Sequence, residues 1–196
     1  MPAAHAVAVA EFGPFVPFLA ERGAWDATGL AFNLADVIEL TSSAKKVLYV
    51  HANYFSPETP IPAHGTIVYC PRTHAAFGHP PHPFREFLAR GVRVALGTDS
   101  LASNPDLSIL EEARFVHRRH PEVAPADILR MATLSGAEAL GWADETGSLT
   151  PGKSADLIVL PLPNEDARDP HNLVLESTLP LRAVMFRGRW TQGKPR

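Results

Sequence analysis

The sequence predicts an α/β protein built on a parallel sheet, with a smaller β layer at its C-terminal end, and three observations predict it. Three short apolar runs, Lys46–His51, Thr66–Cys70 and Val92–Gly97, recur at intervals of about 20 to 26 residues with loop and helix between them, which is the βα grammar of a parallel sheet. Each run ends in side chains able to do chemistry: His51, then Arg72-Thr73-His74 after Pro71, then Thr98-Asp99-Ser100. In (β/α)₈ barrels and open α/β sheets alike, ligands gather at the carboxyl ends of the strands. The texture then changes at Gly147, where turn-rich sequence leads into a further apolar run, Ala155–Leu160, and another at Leu181–Phe186.

The remaining elements follow in order. Phe12–Arg22 carries Phe15, Phe18 and Leu19 at helical spacing and stops before Gly23, which predicts a short helix. Asn33 is placed to cap a second helix over Leu34–Leu40. Phe84–Arg90 supplies a helix between the second and third strands. A helix is expected over Pro105–His120 with Asn104 as its cap, and a single longer one over Pro125–Leu140, with proline in its first turn and Gly141 just past its end. Gly147–Lys153 and Arg187-Gly188 read as turns. The 19 prolines and 13 glycines bunch between apolar runs, at Pro57–Pro62, Pro80–Pro83 and Pro151–Pro163, so they punctuate elements instead of marking disorder.

Composition narrows the classes. With 45% hydrophobic and 20% charged residues the chain has the make-up of an ordinary globular protein. A formal net charge of -3 provides no basic footprint, so nucleic acid is not an expected partner. A single cysteine, Cys70, excludes an internal disulfide framework and fits a reducing compartment. The apolar stretch Ala3–Ala10 lacks the positive flank of a signal peptide, and no apolar run approaches the roughly 20 residues that span a bilayer. A cytoplasmic setting with no membrane partner is expected.

Asp99 is the leading candidate for chemistry. A carboxylate directly after an apolar strand can meet a metal or a substrate proton, although it can also cap the next helix through backbone amides. His51 ends the first strand in the same way, either as a functional imidazole or as a satisfied structural residue, and its place on the same rim as Asp99 favours function. The loop from Cys70 to Phe84 holds His74, His79 and His82. Three imidazoles suggest zinc, but their spacing matches no common zinc signature, and Pro81 and Pro83 restrict the backbone on both sides of His82. Substrate contact by one or two of them is preferred over a metal cluster, with a purely structural loop as the alternative. His117 and His120 sit beside Arg118 and Arg119 at a helix C-terminus, where cations are favoured for electrostatic reasons alone.

Taken together, Gly97-Thr98-Asp99-Ser100, Ser103-Asn104 and Leu110-Glu111-Glu112 resemble the eighth barrel strand and following helix of the amidohydrolase superfamily. Within it they resemble the aminohydrolase branch that includes S-adenosylhomocysteine, aminofutalosine and guanine deaminases and the triazine hydrolases. Arg130-Met131-Ala132-Thr133, Gly136-Ala137 and Ala139-Leu140-Gly141 resemble that branch's last barrel helix. Gly147-Ser148-Leu149, Pro151-Gly152-Lys153 and Ala155-Asp156-Leu157 resemble its return into a β-sandwich domain. The resemblance runs from about Lys46 to Arg189. It implies a partial metal-dependent hydrolase (β/α)₈ TIM barrel, about strands six to eight, over residues 1–145, and a β-sandwich segment over residues 146–196.

Carried over by position, the resemblance makes Asp99 a metal ligand and the proton acceptor for an attacking water, and His51 a catalytic residue that contacts the water or the reacting group. It puts His51, Arg72, His74, His79, His82 and Ser100 at the substrate. One divalent metal is implied, zinc foremost, with iron or manganese as alternatives. The implied reaction is hydrolysis of a non-peptide carbon–nitrogen bond, such as deamination of a purine-like or other cyclic amidine substrate. The chain departs from the family at Cys70-Pro71-Arg72-Thr73-His74, where Asn-Pro-x-Ser-Asn is common, and it contains no His-x-His pair. His5 and Glu11 lie at the wrong spacing for the family's His-x-x-Glu, and Met1–Ala10 looks unlike the expected strand. The expectation is therefore an N-terminally truncated half that does not hold the metal alone and that works as a homo-oligomer or with a complementing N-terminal half. The alternative is a non-catalytic remnant or assembly module.

Overall fold

The computed structural model describes residues 15–26, 33–164 and 168–193. His5, Glu11, the Met1–Ala10 segment and the first residues of the helix expected over Phe12–Arg22 lie outside them. The rest of that helix is α1, Phe15–Glu21, which ends where Gly23 takes a φ of 65° and donates its N–H to the Ala20 carbonyl. Helix α2, Leu34–Leu40, is started by Asn33 in a full capping box. The Asn33 side chain accepts from the Asp36 N–H, and the Asp36 carboxylate accepts from the Asn33 N–H, both at 3.1 Å.

The three apolar runs are strands β1, Val47–Val50, β2, Gly65–Tyr69, and β3, Arg93–Leu96. They pair in the order β1-β2-β3, all parallel, with Val50 opposite Val68 and Tyr69 opposite Leu96. Parallel pairing puts all three carboxyl ends on one rim. Central β2 is buried along nearly its whole length, as a parallel strand covered on both faces must be, whereas edge strand β1 leaves Leu48 and Val50 exposed. Helix α3, Pro71–Ala76, follows β2 directly, and α4, Phe84–Ala89, leads to β3. Helices α5, Ile109–Arg119, α6, Pro125–Ala132, and α7, Leu134–Leu140, come after it, and α4 to α7 all pack on β3. Ile67, Phe84, Phe87, Val116 and Ile128 are fully removed from solvent in the resulting core, each contributing about 1.5–3 kcal/mol of transfer free energy.

Several boundaries differ from the sequence expectation. Residues 71–76, expected as loop, are helical: Pro71 occupies the first turn, where its missing N–H costs nothing. The helix expected from Pro105 begins only at Ile109. Its cap is Ser108, whose hydroxyl accepts from the Glu111 N–H at 3.3 Å, and Asn104 instead turns inward to other partners. The helix expected over Pro125–Leu140 is two helices broken at Thr133, which has φ −132° and ψ −91° and a hydroxyl donating back to the Leu129 carbonyl at 2.6 Å. Gly141 closes α7 in the left-handed conformation, φ 78°.

Beyond Gly147 a second sheet forms from β4, Leu157–Val159, β5, Ala183–Phe186, and β6, Arg189–Gln192, antiparallel in that order. β6 and the helix α8, Pro170–Glu176, were not anticipated; α8 packs on α5 and α6 through buried Leu175. β5 and β6 join through Arg187-Gly188, both at positive φ (48° and 74°), the two-residue geometry whose twist suits a tight hairpin. Among the described residues no helix is long and apolar enough to cross a membrane.

Candidate active site at the strand ends

Each outer strand delivers one chemically capable side chain to the rim. His51 follows β1 directly and its N–H extends the ladder by donating to the Val68 carbonyl at 2.9 Å. Asp99 comes three residues after β3, and Gly97 before it extends that ladder by donating to the Tyr69 carbonyl at 2.9 Å. Both residues then turn sharply: His51 has φ 66°, Ala52 φ 49° and Asp99 φ 59°. Left-handed backbone is uncommon outside glycine and costs roughly 1–3 kcal/mol per residue, so it persists only where surrounding contacts enforce it. The two turns bring His51 Nε2 to 3.9 Å from Asp99 Oδ2, with both side chains about one-third exposed. An imidazole and a carboxylate thus face one another across the end of β2, open to solvent.

The Asp99 turn is held from below. Ser103 donates its hydroxyl to Asp99 Oδ2 at 2.8 Å and lies 3.1 Å from the Thr73 hydroxyl. Asn104 donates Nδ2 to the Thr98 carbonyl at 2.7 Å and to Glu112 Oε1 at 2.6 Å. Glu112 is fully buried, and its carboxylate also accepts from the Arg72 backbone N–H at 3.0 Å and from Arg72 Nε at 2.6 Å. One carboxylate on α5 therefore ties the start of α3 to the loop carrying Asp99, and it satisfies an amide in the first turn of α3 where negative charge is favoured. Gly97 permits the close approach beneath: a Cβ there would stand 2.8 Å from Val68 Cγ1 and 3.0 Å from Cys70 Sγ. The sequence offers Asn104 as a helix cap and Glu112 only as part of a motif. Only their burial and their contacts with residues 6 to 40 positions away reveal what they do.

The other candidates divide by how far their polar atoms are committed. Arg72 does not reach out from the rim. It pairs with Glu112 through Nε and with Asp106 through Nη1 and Nη2 at 3.1 and 2.6 Å, a forked arrangement with strong, directional bonds. This pairing raises the guanidinium above its already high range and holds the Asp106 carboxyl down to about 2. His74 is buried, with Nε2 2.9 Å from the Pro80 carbonyl oxygen, and burial lowers its pKa. His82 is buried with Nε2 2.7 Å from the His51 carbonyl oxygen, and desolvation pushes it down to about 4. Both imidazoles are therefore neutral near pH 7 and donate to main-chain carbonyls. His79 is half-buried, with Nδ1 2.9 Å from the Tyr54 hydroxyl. Ser100, next to Asp99, is exposed, and its hydroxyl accepts from the Ala102 N–H at 3.3 Å. Cys70 lies beneath the rim with its thiol pushed up to about 12, first by burial and then by the Asp99 charge, which disfavours the thiolate.

The fit to a metal ion is a matter of donors. Asp99 and His51 bring together one carboxylate and one imidazole, and among the described residues no group of three or more His, Cys, Asp or Glu side chains is arranged to hold a metal. A zinc site draws on at least three protein ligands, so the described residues do not form one. A separate, largely apolar groove of about 930 Å³ lies between α6, α7 and the β4–β5 pair, lined by Leu134, Trp142, Leu149 and Ile158 among others. It shares no residue with the His51–Asp99 rim, and its polar lining residues include Arg130, Asp156 and His171.

The chain belongs to the amidohydrolase family, which it matches over residues 26–191. It is 39% identical over 134 residues to the 5-methylthioadenosine/S-adenosylhomocysteine deaminase of Pyrococcus abyssi, covering 65% of this chain and 29% of that protein. It is 37% identical over 98 residues to the S-triazine hydrolase of Gordonia rubripertincta, covering 46% of this chain and 20% of that one. A probable guanine deaminase of Deinococcus radiodurans is 39% identical over 102 residues, covering 48% of this chain and 23% of the relative. These relatives belong to the deaminase and triazine hydrolase branch that the strand-end motifs resembled. Among solved structures, the chain superimposes on a zinc-bound adenosine deaminase from Xanthomonas campestris with a TM-score of 0.72 at 23% identity, covering 91% of this chain and 43% of that one. A triazine hydrolase variant gives a TM-score of 0.73 at 25% identity, with 92% and 42% covered. These likenesses establish the α/β fold of metal-dependent hydrolases. The chain spans less than a third of the length of the curated relatives it matches, and under half of the solved structures.

Proposed function

We propose that this chain carries the proton-handling part of an active site that hydrolyses a carbon–nitrogen bond in a purine-like or other cyclic amidine substrate, releasing ammonia. The observation that carries the reading is the pairing of His51 with Asp99 at 3.9 Å across the end of the central strand β2, each on left-handed backbone. In the reaction, water adds to the ring carbon that bears the leaving nitrogen. The Asp99 carboxylate accepts the water's proton at Oδ2, the oxygen held by Ser103, and passes it to the departing nitrogen. His51 donates to the substrate's reacting group and draws electron density from the carbon under attack. On this reading Ser100 and His79 contact the substrate, whereas Arg72, His74 and His82 shape the loop that would surround it.

A metal in such enzymes activates water and polarises the attacked group. We propose that a divalent ion, zinc foremost, is held at Asp99 with further ligands from outside the described residues. On this reading β1–β3 are strands six to eight of a (β/α)₈ barrel within residues 1–145, residues 146–196 are a β-sandwich segment, and a complementing polypeptide or second copy completes the barrel. Three strands do not close a barrel that typically takes about 250 residues.

The test is metal content and ammonia release in the purified chain, alone and after mixing with a polypeptide carrying the remainder of a related amidohydrolase. About one equivalent of metal together with deamination that Asp99→Asn abolishes supports the reading. No metal and no turnover in either preparation overturns it. A second reading, a non-catalytic assembly module, is favoured by the lack of any three-donor cluster among the described residues. That reading predicts a stable assembly which does not change when Asp99 is replaced.

A further inference from the structure

We propose that His82 is a positioning residue: its Nε2–H holds the His51 carbonyl and so fixes the strained turn that aims the His51 imidazole at Asp99. This rests on the functional reading above for its purpose, but its geometry stands independently of it.

His51 is the central residue of a three-residue turn. The Ala52 N–H donates to the Val50 carbonyl at 2.9 Å while His51 sits at φ 66°. Positive-φ turns of this kind are rare and strained. Glycine would relieve the strain, yet the position carries an imidazole, so another contact must compensate. The His51 N–H is already used on the Val68 carbonyl, which secures the strand side of the turn. Its carbonyl meets His82 Nε2 at 2.7 Å, 31 residues further along the chain.

His82 is built for that single contact. Its ring stacks on Tyr69 of β2 at 4.3 Å between centroids and 27° between planes, so the central strand sets where the ring lies. Pro81 and Pro83 on either side restrict the backbone that carries it. The ring is 5% exposed, and its Nδ1 is buried with no hydrogen-bond partner. That orphaned nitrogen identifies the tautomer. A proton on Nδ1 would leave both a buried donor and the buried face of the His51 carbonyl unpaired, whereas a proton on Nε2 satisfies the carbonyl and leaves only a weak acceptor bare. A substrate-contacting histidine has a free nitrogen facing solvent; His82 has neither nitrogen there.

The experiment uses the full chain without metal, labelled with ¹⁵N. Two-bond proton–nitrogen correlations should show His82 as the Nε2–H tautomer, with slow exchange of that proton. His82→Phe keeps an aromatic ring on Tyr69 and removes the donor. In it the Ala52 amide should exchange roughly tenfold faster, the effect of freeing one turn from a compensating hydrogen bond, and the His51 amide–α-proton coupling should leave its left-handed value. The amides of Ile67 and Val94 should be unchanged. His82→Gln returns a donor at similar reach and should restore Ala52 protection. An Nδ1–H tautomer in the wild-type chain overturns the proposal, as does a folded His82→Phe chain with Ala52 exchange unaltered. If His82→Phe does not fold, the wild-type tautomer and the His82→Gln exchange decide it. An absence of hydrolytic activity would move none of these readouts, so the two readings fail separately.

Discussion

The two sheets of this chain are held together by different means. Around β1–β3, side chains from four helices bury Ile67, Phe84, Phe87 and Val94 completely or nearly so, and a buried polar network centred on Glu112 joins the loops above them. Around β4–β6, Ala183 is the one fully buried strand residue among those described, and Ile158 and Phe186 remain about half exposed. The first sheet is a central strand enclosed on both faces; the second is a hairpin with an added strand, lying beside an open apolar groove. A rim that must hold two side chains in strained turns needs rigid support beneath it, and the parallel sheet supplies that support. The tail sheet carries no such demand, and it leaves apolar side chains exposed.

The sharpest way to break the contrast is at Glu112. Glu112→Ala leaves Arg72 Nε, the Arg72 amide and Asn104 without their acceptor in a buried site, and should cost about 3–5 kcal/mol, read from the shift of a urea unfolding midpoint. A loss below about 1 kcal/mol would show that the network decorates the rim without supporting it.

Acid should act on the same region. His82 is buried neutral, with its folded pKa lowered to about 4 from an unfolded value near 6.5. The unfolded chain therefore binds the extra proton first, and the stability contributed by neutral His82 is complete above about pH 6.5 and lost as pH falls toward 4, by up to roughly 3 kcal/mol. His82→Gln should flatten that part of a stability-against-pH curve. Asp106, held at about 2 beside Arg72, acts lower: its contribution is present above the ordinary carboxylate value and declines as pH falls toward 2. A slope between pH 6.5 and 4 that His82→Gln leaves unchanged would reassign the acid sensitivity to another group.

Smaller effects refine the comparison. Gly97→Ala forces a methyl against Val68 and the Cys70 sulfur and should cost about 1–3 kcal/mol, measured by thermal unfolding, with the Asp99 turn displaced. In the tail, Phe186→Ala removes a side chain that is 54% exposed and should change stability by no more than about 0.5 kcal/mol. A large loss at Phe186 would mean that the second sheet buries its apolar face in solution through self-association, which sedimentation of the variant would reveal.

The sequence by itself determined the elements whose signals are local. Apolar runs placed β1 to β3 within a residue or two; Asn33 started α2; Gly141 ended α7; and the polar residues after each strand marked His51 and Asp99 as rim residues. Tertiary structure decided everything that depends on partners distant in the chain. It turned Asn104 from an expected cap into a buried donor and committed Arg72 to Asp106 and Glu112, 34 and 40 residues away. The physical reason is that a side chain's free energy depends on whether it is buried and on what it meets there. A guanidinium or an imidazole on a loop has the same local sequence signal whether it faces a substrate or a buried carboxylate, and packing against β2 and α5 is what distinguishes the two.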